Sequence, residues 1–243
     1  MPAIDVIFSP ALIPFYDLKG KNVVVIDILR ATTSICVALS NGARGVVPVM
    51  TPEECMSYRF KEEEYVVAAE RDGVPVPGFD IGNSPLSFTQ KTVLDKYIAI
   101  STTNGTYTIK QSESADNIFI GSFLNLDALC LKLLRLNQDV VLICAGWKNK
   151  FNLEDSLFAG AVVEKLKDHF LFDEDASKAA LLLWEQSKDN LLEVIKNASH
   201  SRRFDRLGIV GDTEFCLQLN TMEMVPYYNK GTLYGELVRE IDN

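Results

Sequence analysis

Short runs rich in valine and isoleucine recur along the chain: IDVIF at 4–8, NVVVID at 22–27, GVVPV at 45–49, YVVAA at 65–69, YIAIS at 97–101, NIFIG at 117–121 and DVVLICAG at 139–146. Several are apolar at every position, the pattern of strands covered on both faces. Between them lie stretches whose apolar residues are spaced three and four apart, as on one face of a helix. ATTSICVALSNG follows the second run and stops at an Asn-Gly pair. TPEECMSYRF opens with Thr51 as N-cap, Pro52 at the first helical position and Glu54 to complete a capping box. NLDALCLKLLRLN and NLEDSLFAGAVVEKLKDHF each set an asparagine before an acidic first turn. The alternation of strand, loop, helix and strand predicts an α/β fold on a mainly parallel sheet.

Two features stand out against this alternation, an internal similarity and one stretch that breaks the rhythm. VVVIDILRATTS and YIAISTTNGTYT both run from an apolar strand into a Thr-Thr pair and a short helix. That likeness is read either as an old duplication or as the resemblance all βαβ units share. Residues 173–207 are acidic at first, then helical and charged, and read as a helical excursion or lid. No Gly/Ser-rich or Pro-rich linker interrupts the chain, so residues 1–243 are expected to form a single domain.

Composition narrows the function. At 243 residues and 47% hydrophobic the chain can bury a sizeable core. A net charge of −9 opposes binding to nucleic acid or to an anionic membrane surface. No stretch approaches the roughly 18 to 20 apolar residues of a membrane span, and the first residues lack a basic, cleavable leader, so a cytoplasmic location is expected. Cys36, Cys55, Cys130, Cys144 and Cys216 are odd in number and mostly set among apolar neighbours, which predicts buried free thiols.

The motifs of dinucleotide binding, of the phosphate-binding P-loop, of the serine nucleophile elbow and of the two-histidine zinc helix are absent. The only histidines, His169 and His200, sit in charged helical surroundings and read as surface residues. Polar residues gather instead where strands end and helices begin, the place where open α/β sheets collect ligands. Asp27 closes the second run, with Arg30, Thr32 and Thr33 following. An acid there could hold Mg²⁺, attack phosphorus or cap its own helix.

Glu70 and Arg71 end another run, and Asp80, Gly82, Asn83 and Ser84 form a compact polar turn beyond them. STTNGT at 101–106 offers hydroxyls and backbone N–H groups without charge, a cradle suited to a phosphate or sulfonate. Glu154 and Asp155 lie in a first helical turn, where acids also serve the helix dipole. Asp212 follows a glycine turn and reads as a cap or a metal ligand.

DILRATTSICVALSNGARGVVPV, ERDGVPVPGFDIGNSP, STTNGT, IGSFLN, ICAGWKNKFNLEDSLFAGAVV and RLGIVGDTEFC together resemble, in order, the blocks of the 2-phosphosulfolactate phosphatase family, the ComB-like proteins. The resemblance covers residues 22 to about 217. It implies a three-layer α/β/α fold and a Mg²⁺-dependent phosphatase for the phosphate ester of a 2-hydroxy acid. The family's named substrate is 2-phospho-3-sulfolactate, in coenzyme M synthesis. The expected partners are a small anionic phosphate ester and, for assembly, a second copy of the chain in a homodimer.

Carried over by position, Asp27, Arg30, Glu70 and Arg71 become the catalytic candidates. Thr32, Thr33, Asn83, Ser84, Thr102, Thr103, Asn104, Gly105 and Thr106 become substrate-binding candidates. Asp27, Glu70, Asp80, Glu154 and Asp155 become the candidate Mg²⁺ ligands. Two routes stay open, attack by a metal-activated water and attack by Asp27 itself. A non-catalytic anion sensor and a phosphotransferase are the alternatives from other classes. Residues 173–199 and the Trp147–Lys150 loop carry no motif to compare, although both could shape the pocket, and Arg203 or Arg206 could meet the second anionic end of such a substrate.

Overall fold

The computed structural model describes residues 1–239. Its elements, in chain order, begin with β1 (Ile4–Ile7), β2 (Asn22–Ile26), α1 (Ala31–Ser40), β3 (Gly45–Pro48), α2 (Pro52–Ser57), β4 (Tyr65–Arg71), β5 (Val74–Pro75), α3 (Gln90–Val93), β6 (Tyr97–Ser101) and α4 (Gly105–Gln111). They continue with β7 (Asn117–Gly121), α5 (Leu126–Leu136), β8 (Val140–Cys144), α6 (Leu153–Leu166), α7 (Asp175–Ser187), α8 (Leu191–Lys196), α9 (Ser199–Leu207), α10 (Asp212–Cys216), β9 (Met224–Asn229) and β10 (Thr232–Leu237). Every Val/Ile run of the sequence is a strand.

One ten-stranded mixed sheet runs in the order β1-β8-β2-β7-β9-β10-β3-β6-β4-β5. Its two wings, β1-β8-β2-β7 and β3-β6-β4, are each wholly parallel. The hairpin β9–β10 joins them through antiparallel pairs. Its turn places Lys230 and Gly231 at φ of 47° and 93°, the left-handed pair that a two-residue hairpin of matching twist requires. The sequence pattern left this hairpin unread.

Successive strand residues face opposite sides, so the sheet makes two cores. Val24 and Ile26 of β2 join α5, α6 and α7 in one, while Val23 and Val25 join α1 and α4 in the other. Cys55 of α2 packs on Val47, Val67 and Ala99. The result is a three-layer α/β/α fold. In a flat sheet β2 and β3, four places apart, would be separated by about 19 Å. The short helix α4 nevertheless touches both, so the sheet curls around α1 and α4 and brings the carboxyl ends of its wings together.

Local signals acted as read, with adjustments. Thr51 caps α2 by accepting from Glu54 N–H at 3.1 Å, but the Glu54 carboxylate reaches back to Met50 N–H at 3.1 Å rather than to the cap itself. Asn125 and Asn152 occupy N-cap positions without capping through their side chains. The cysteines are all buried and free. Among the described residues no helix is long and apolar enough to cross a membrane. The excursion after residue 173 comprises α7, α8 and α9, and α7 packs on α6 and β1.

The α6–α7 contact depends on Gly160, where an added Cβ would lie 2.0 Å from the Ala180 carbonyl oxygen. Gly160→Ala is expected to lower stability by about 1 to 3 kcal/mol, read from the urea midpoint. An unchanged midpoint would show that the two helices separate freely.

Candidate active site

Asp27 follows β2 and is only 6% exposed. The residues after it hold its backbone. Asp27 N–H donates to Thr32 Oγ1 at 2.9 Å, and Thr33 Oγ1 donates to the Ile28 carbonyl at 3.0 Å and lies 3.1 Å from Ser122 Oγ. Thr32 and Thr33 are therefore turned inward as scaffold, where the sequence reading had them meet substrate. Gly105 sits against the same carboxylate, since a Cβ there would fall 2.5 Å from Ala31 Cβ and 2.8 Å from Asp27 Oδ2. That close approach is why STTNGT needs its glycine.

The threonines of that segment serve the loop as much as any ligand. Thr102 and Thr106 exchange N–H to Oγ1 bonds at 3.2 Å in both directions. Thr103 donates to Glu70 through Oγ1 at 3.0 Å and through N–H at 3.3 Å. Asp72 and Gly73, at φ of 54° and 86°, form the tight turn between β4 and β5, which folds Gly73 N–H back onto the Glu70 carboxylate. Glu70 is thus buried and well supplied with donors.

Arg71 spends its guanidinium on the Glu70 carbonyl at 2.6 Å, the Met50 carbonyl at 3.2 Å and Ser101 Oγ at 2.8 Å, and meets no carboxylate among the described residues. It lines a cleft of about 440 Å³ with Thr102, Thr103, Asn104, Thr106 and Tyr107. Asn104 is shared between this cleft and a smaller cavity that contains Asp27, Arg30, Glu70, Asn83, Trp147 and His200.

Arg30 is committed inside the protein. It donates to Asp212 at 2.6 Å and to the Gly73 carbonyl at 2.9 Å, and Ser84 Oγ donates to the other Asp212 oxygen at 2.7 Å. Asp212 is thereby an ion-pair partner rather than a cap. Asn83 lines the cavity, with its Oδ1 buried and unpartnered among the described residues. Asp80 stands elsewhere: it is 44% exposed, 2.5 Å from Arg59, and accepts Val67 N–H at 2.9 Å. That placement removes it from the acidic group around Asp27.

Asp155 ties the two strand ends together. It accepts from Ile28 N–H at 2.8 Å, Gly146 N–H at 3.1 Å and Asn152 Nδ2 at 2.8 Å. Asn152 also donates to Glu154 Oε1 at 3.0 Å, which explains why its side chain does not cap α6. Glu154 Oε1 lies 2.6 Å from His200 Nδ1, while Glu154 Oε2 is buried without a donor among the described residues.

His200 corrects the sequence reading. It is 8% exposed and comes from α9, which roofs the site with side chains three and four residues apart. His200 meets Glu154, the Arg203 guanidinium lies 3.7 Å from the Trp147 ring centroid, and Phe204 receives Arg30 at 4.9 Å. A charged helix with an H-x-x-R-F face looks solvated in sequence; here that face turns inward.

Burial, opposed by His200 and reinforced by the charges of Glu70 and Glu154, pushes the Asp27 carboxyl up to about 7. Burial together with the Asp27 and Glu154 charges holds Asp155 well above the carboxylate range. Among the described residues no compact group of three or more His, Cys, Asp or Glu side chains forms a ready metal cage. Mg²⁺, however, commonly keeps several waters and needs only one or two protein carboxylates. Asp27 and the open oxygen of Glu154 suit that requirement.

Acids gathered at the carboxyl ends of parallel strands, beside a hydroxyl-lined cleft that an arginine also lines, suit α/β enzymes that handle anionic esters. Comparison with known proteins narrows that class: the model of the 2-phosphosulpholactate phosphatase family matches residues 7–231. A probable 2-phosphosulfolactate phosphatase of Caldanaerobacter subterraneus is 41% identical over 218 residues, covering 88% of this chain and 90% of that protein. Proteins of the same description from Symbiobacterium thermophilum and Thermotoga maritima are 38% and 39% identical, over 90% and 92% of this chain and 95% and 94% of theirs. The chain belongs to the 2-phosphosulfolactate phosphatase family, a family of hydrolases.

The Asp27 shift has a sign that can be tested in EDTA. The folded state holds the proton more tightly than the unfolded chain, so this group's contribution to stability falls as pH rises from about 4 to 7 and is level above. A shift from 3.8 to about 7 corresponds to roughly 4 kcal/mol. Asp27→Asn is expected to be more stable than the parent at pH 8 and to converge with it near pH 4. Parallel stability curves for the two proteins would contradict the burial cost.

Proposed function

We propose that the protein is a Mg²⁺-dependent phosphatase that hydrolyses the phosphate ester of a small 2-hydroxy acid, with 2-phospho-3-sulfolactate as substrate and 3-sulfolactate and phosphate as products. This reading places it in the cytoplasm, in coenzyme M synthesis. Family membership supports the substrate. The observation that carries the chemistry is the buried Asp27 carboxyl, crowded by the charges of Glu70 and Glu154, together with Glu154 Oε2, an acceptor without a donor among the described residues. A divalent cation is the partner such a pair lacks.

Asp27 and Glu154 would hold the ion. When bound, it supplies charge neutralisation at a phosphoryl oxygen and a more acidic water. The remaining work falls to the chain. Arg71, with no carboxylate partner among the described residues, would meet phosphoryl oxygens in the cleft it shares with Thr102, Thr103 and Asn104. Arg30, neutralised by Asp212, fixes the turn at Gly73 and with it Glu70. The α9 roof excludes bulk water, which strengthens each of these interactions. In the reaction a water oxygen adds to phosphorus, the ester P–O bond breaks, and the departing alkoxide takes a proton.

Purified protein should release phosphate from 2-phospho-3-sulfolactate more efficiently than from phospholactate, phosphoglycolate or an aryl phosphate. EDTA should stop release and Mg²⁺ restore it. Asp27→Asn should lower kcat by at least about 10³-fold while remaining folded. No release from any ester by folded, Mg²⁺-supplied protein would overturn the reading.

Gly105→Ala tests the geometry separately. Its Cβ must displace Ala31 or the Asp27 carboxylate, and a displacement near 1 Å at a reacting centre costs on the order of 10²-fold in rate. The measurement is kcat beside the melting temperature; an unchanged kcat would show that Asp27 tolerates being moved.

A further inference from the structure

Trp147 and His200, which line the cavity that holds Asp27, also line a second one of about 280 Å³. Three cations line it, Lys150, Arg203 and Arg206, and no acidic side chain among the described residues does. In a chain of net charge −9 a cavity furnished only with positive charge is unusual. Lys150 and Arg206 are exposed, so water satisfies them. Arg203 is different.

Both terminal nitrogens of Arg203 are buried, and neither has an acceptor among the described residues. Asp72, the nearest candidate, is paired instead with Lys148 at 3.0 Å. Glu70 is taken up by Thr103 and Gly73, and Arg30 is a like charge held by Asp212. The guanidinium carbon lies 3.7 Å from the Trp147 ring centroid, and the group packs against Gly73, where a Cβ would come within 3.1 Å of Nη2. Trp147 in turn is presented by a tight turn in which Lys148 and Asn149 adopt φ of 51° and 61°. Burying unpaired donors of a permanent cation is costly, and arginine's planar fork matches an oxyanion through two bonds at once.

We propose that Arg203 is the specificity-determining residue of the enzyme: it binds the anionic group of the substrate other than the phosphoryl group, a sulfonate or carboxylate, over the Trp147 ring. The assignment deepens the proposed function and rests on it for the identity of the substrate. The charge-assisted pair acts on binding, away from the bond that breaks.

The first test is kinetic, with Arg203→Met and Arg203→Lys assayed on 2-phospho-3-sulfolactate, 2-phospholactate and an aryl phosphate. Arg203→Met should raise KM roughly 10- to 100-fold with little change in kcat, and Arg203→Lys should recover part of the loss. A rise confined to phosphosulfolactate assigns the sulfonate; an equal rise for phospholactate assigns the carboxylate. The aryl phosphate, which has neither group, should be unaffected. Unchanged KM for both acids, or an equal fall in kcat for all three esters, overturns the proposal.

The second test is independent of turnover. Of the two tryptophans Trp184 is buried in the core and Trp147 lies under Arg203. 3-Sulfolactate should shift the fluorescence of the parent, but not that of Arg203→Met or Trp147→Phe. A fluorescence response without phosphatase activity would retain the anion site and reject the proposed reaction. Equal responses in parent and Arg203→Met would reject the site.

Discussion

Asp27 is a carboxylate kept out of water at the end of a strand that is otherwise apolar, and an isolated buried charge is among the most costly arrangements a fold can contain. Much of the surrounding structure follows from that constraint. Gly105 is small so that its loop can close on the carboxylate. Thr32 and Thr33 fix the backbone on either side. Asp155 binds the strand end to the start of α6 through its three donors. His200, on a helix from a distant part of the chain, contributes the largest compensating influence. The proposed Mg²⁺ would supply the positive charge that this arrangement calls for.

Curvature brings the parts together. The β9–β10 hairpin separates two parallel wings, yet Asp27 belongs to one wing and STTNGT to the other. The helices α1 and α4 cross between the wings in opposite directions, β2 to β3 and β6 to β7, inside the concave face. This relationship gives a geometric counterpart to the similarity between the two segments. Residues that end strands in separate wings therefore converge on one cavity.

Much of the scaffold was legible because apolar runs and helix periodicity are local properties. The strands at 4–8, 22–27 and 97–101 were readable from β-branched density alone, as was the cap at Thr51. The central hairpin was missed even though Asn229-Lys230-Gly231 is a turn signal between tyrosine-rich segments, because its half-buried strands lack a continuous apolar run. In the site, Asp27, Glu70 and Glu154 could be found by their place after strands or before a helix. Their engagement could not: Asp80 pairs with Arg59 and Arg30 with Asp212, contacts set by tertiary structure. His200 was passed over because charge along α9 suggested solvent, whereas its i, i+3, i+4 face is the roof.

Calorimetric titration of the metal-free protein with Mg²⁺, on the parent and Asp27→Asn at pH 8 and pH 5.5, addresses the central claim most directly. The account predicts binding by the parent at pH 8, weakening as pH falls below about 7 because the ion must displace the Asp27 proton, and no comparable binding by Asp27→Asn. Equal Mg²⁺ affinity in the two proteins at pH 8 would contradict it.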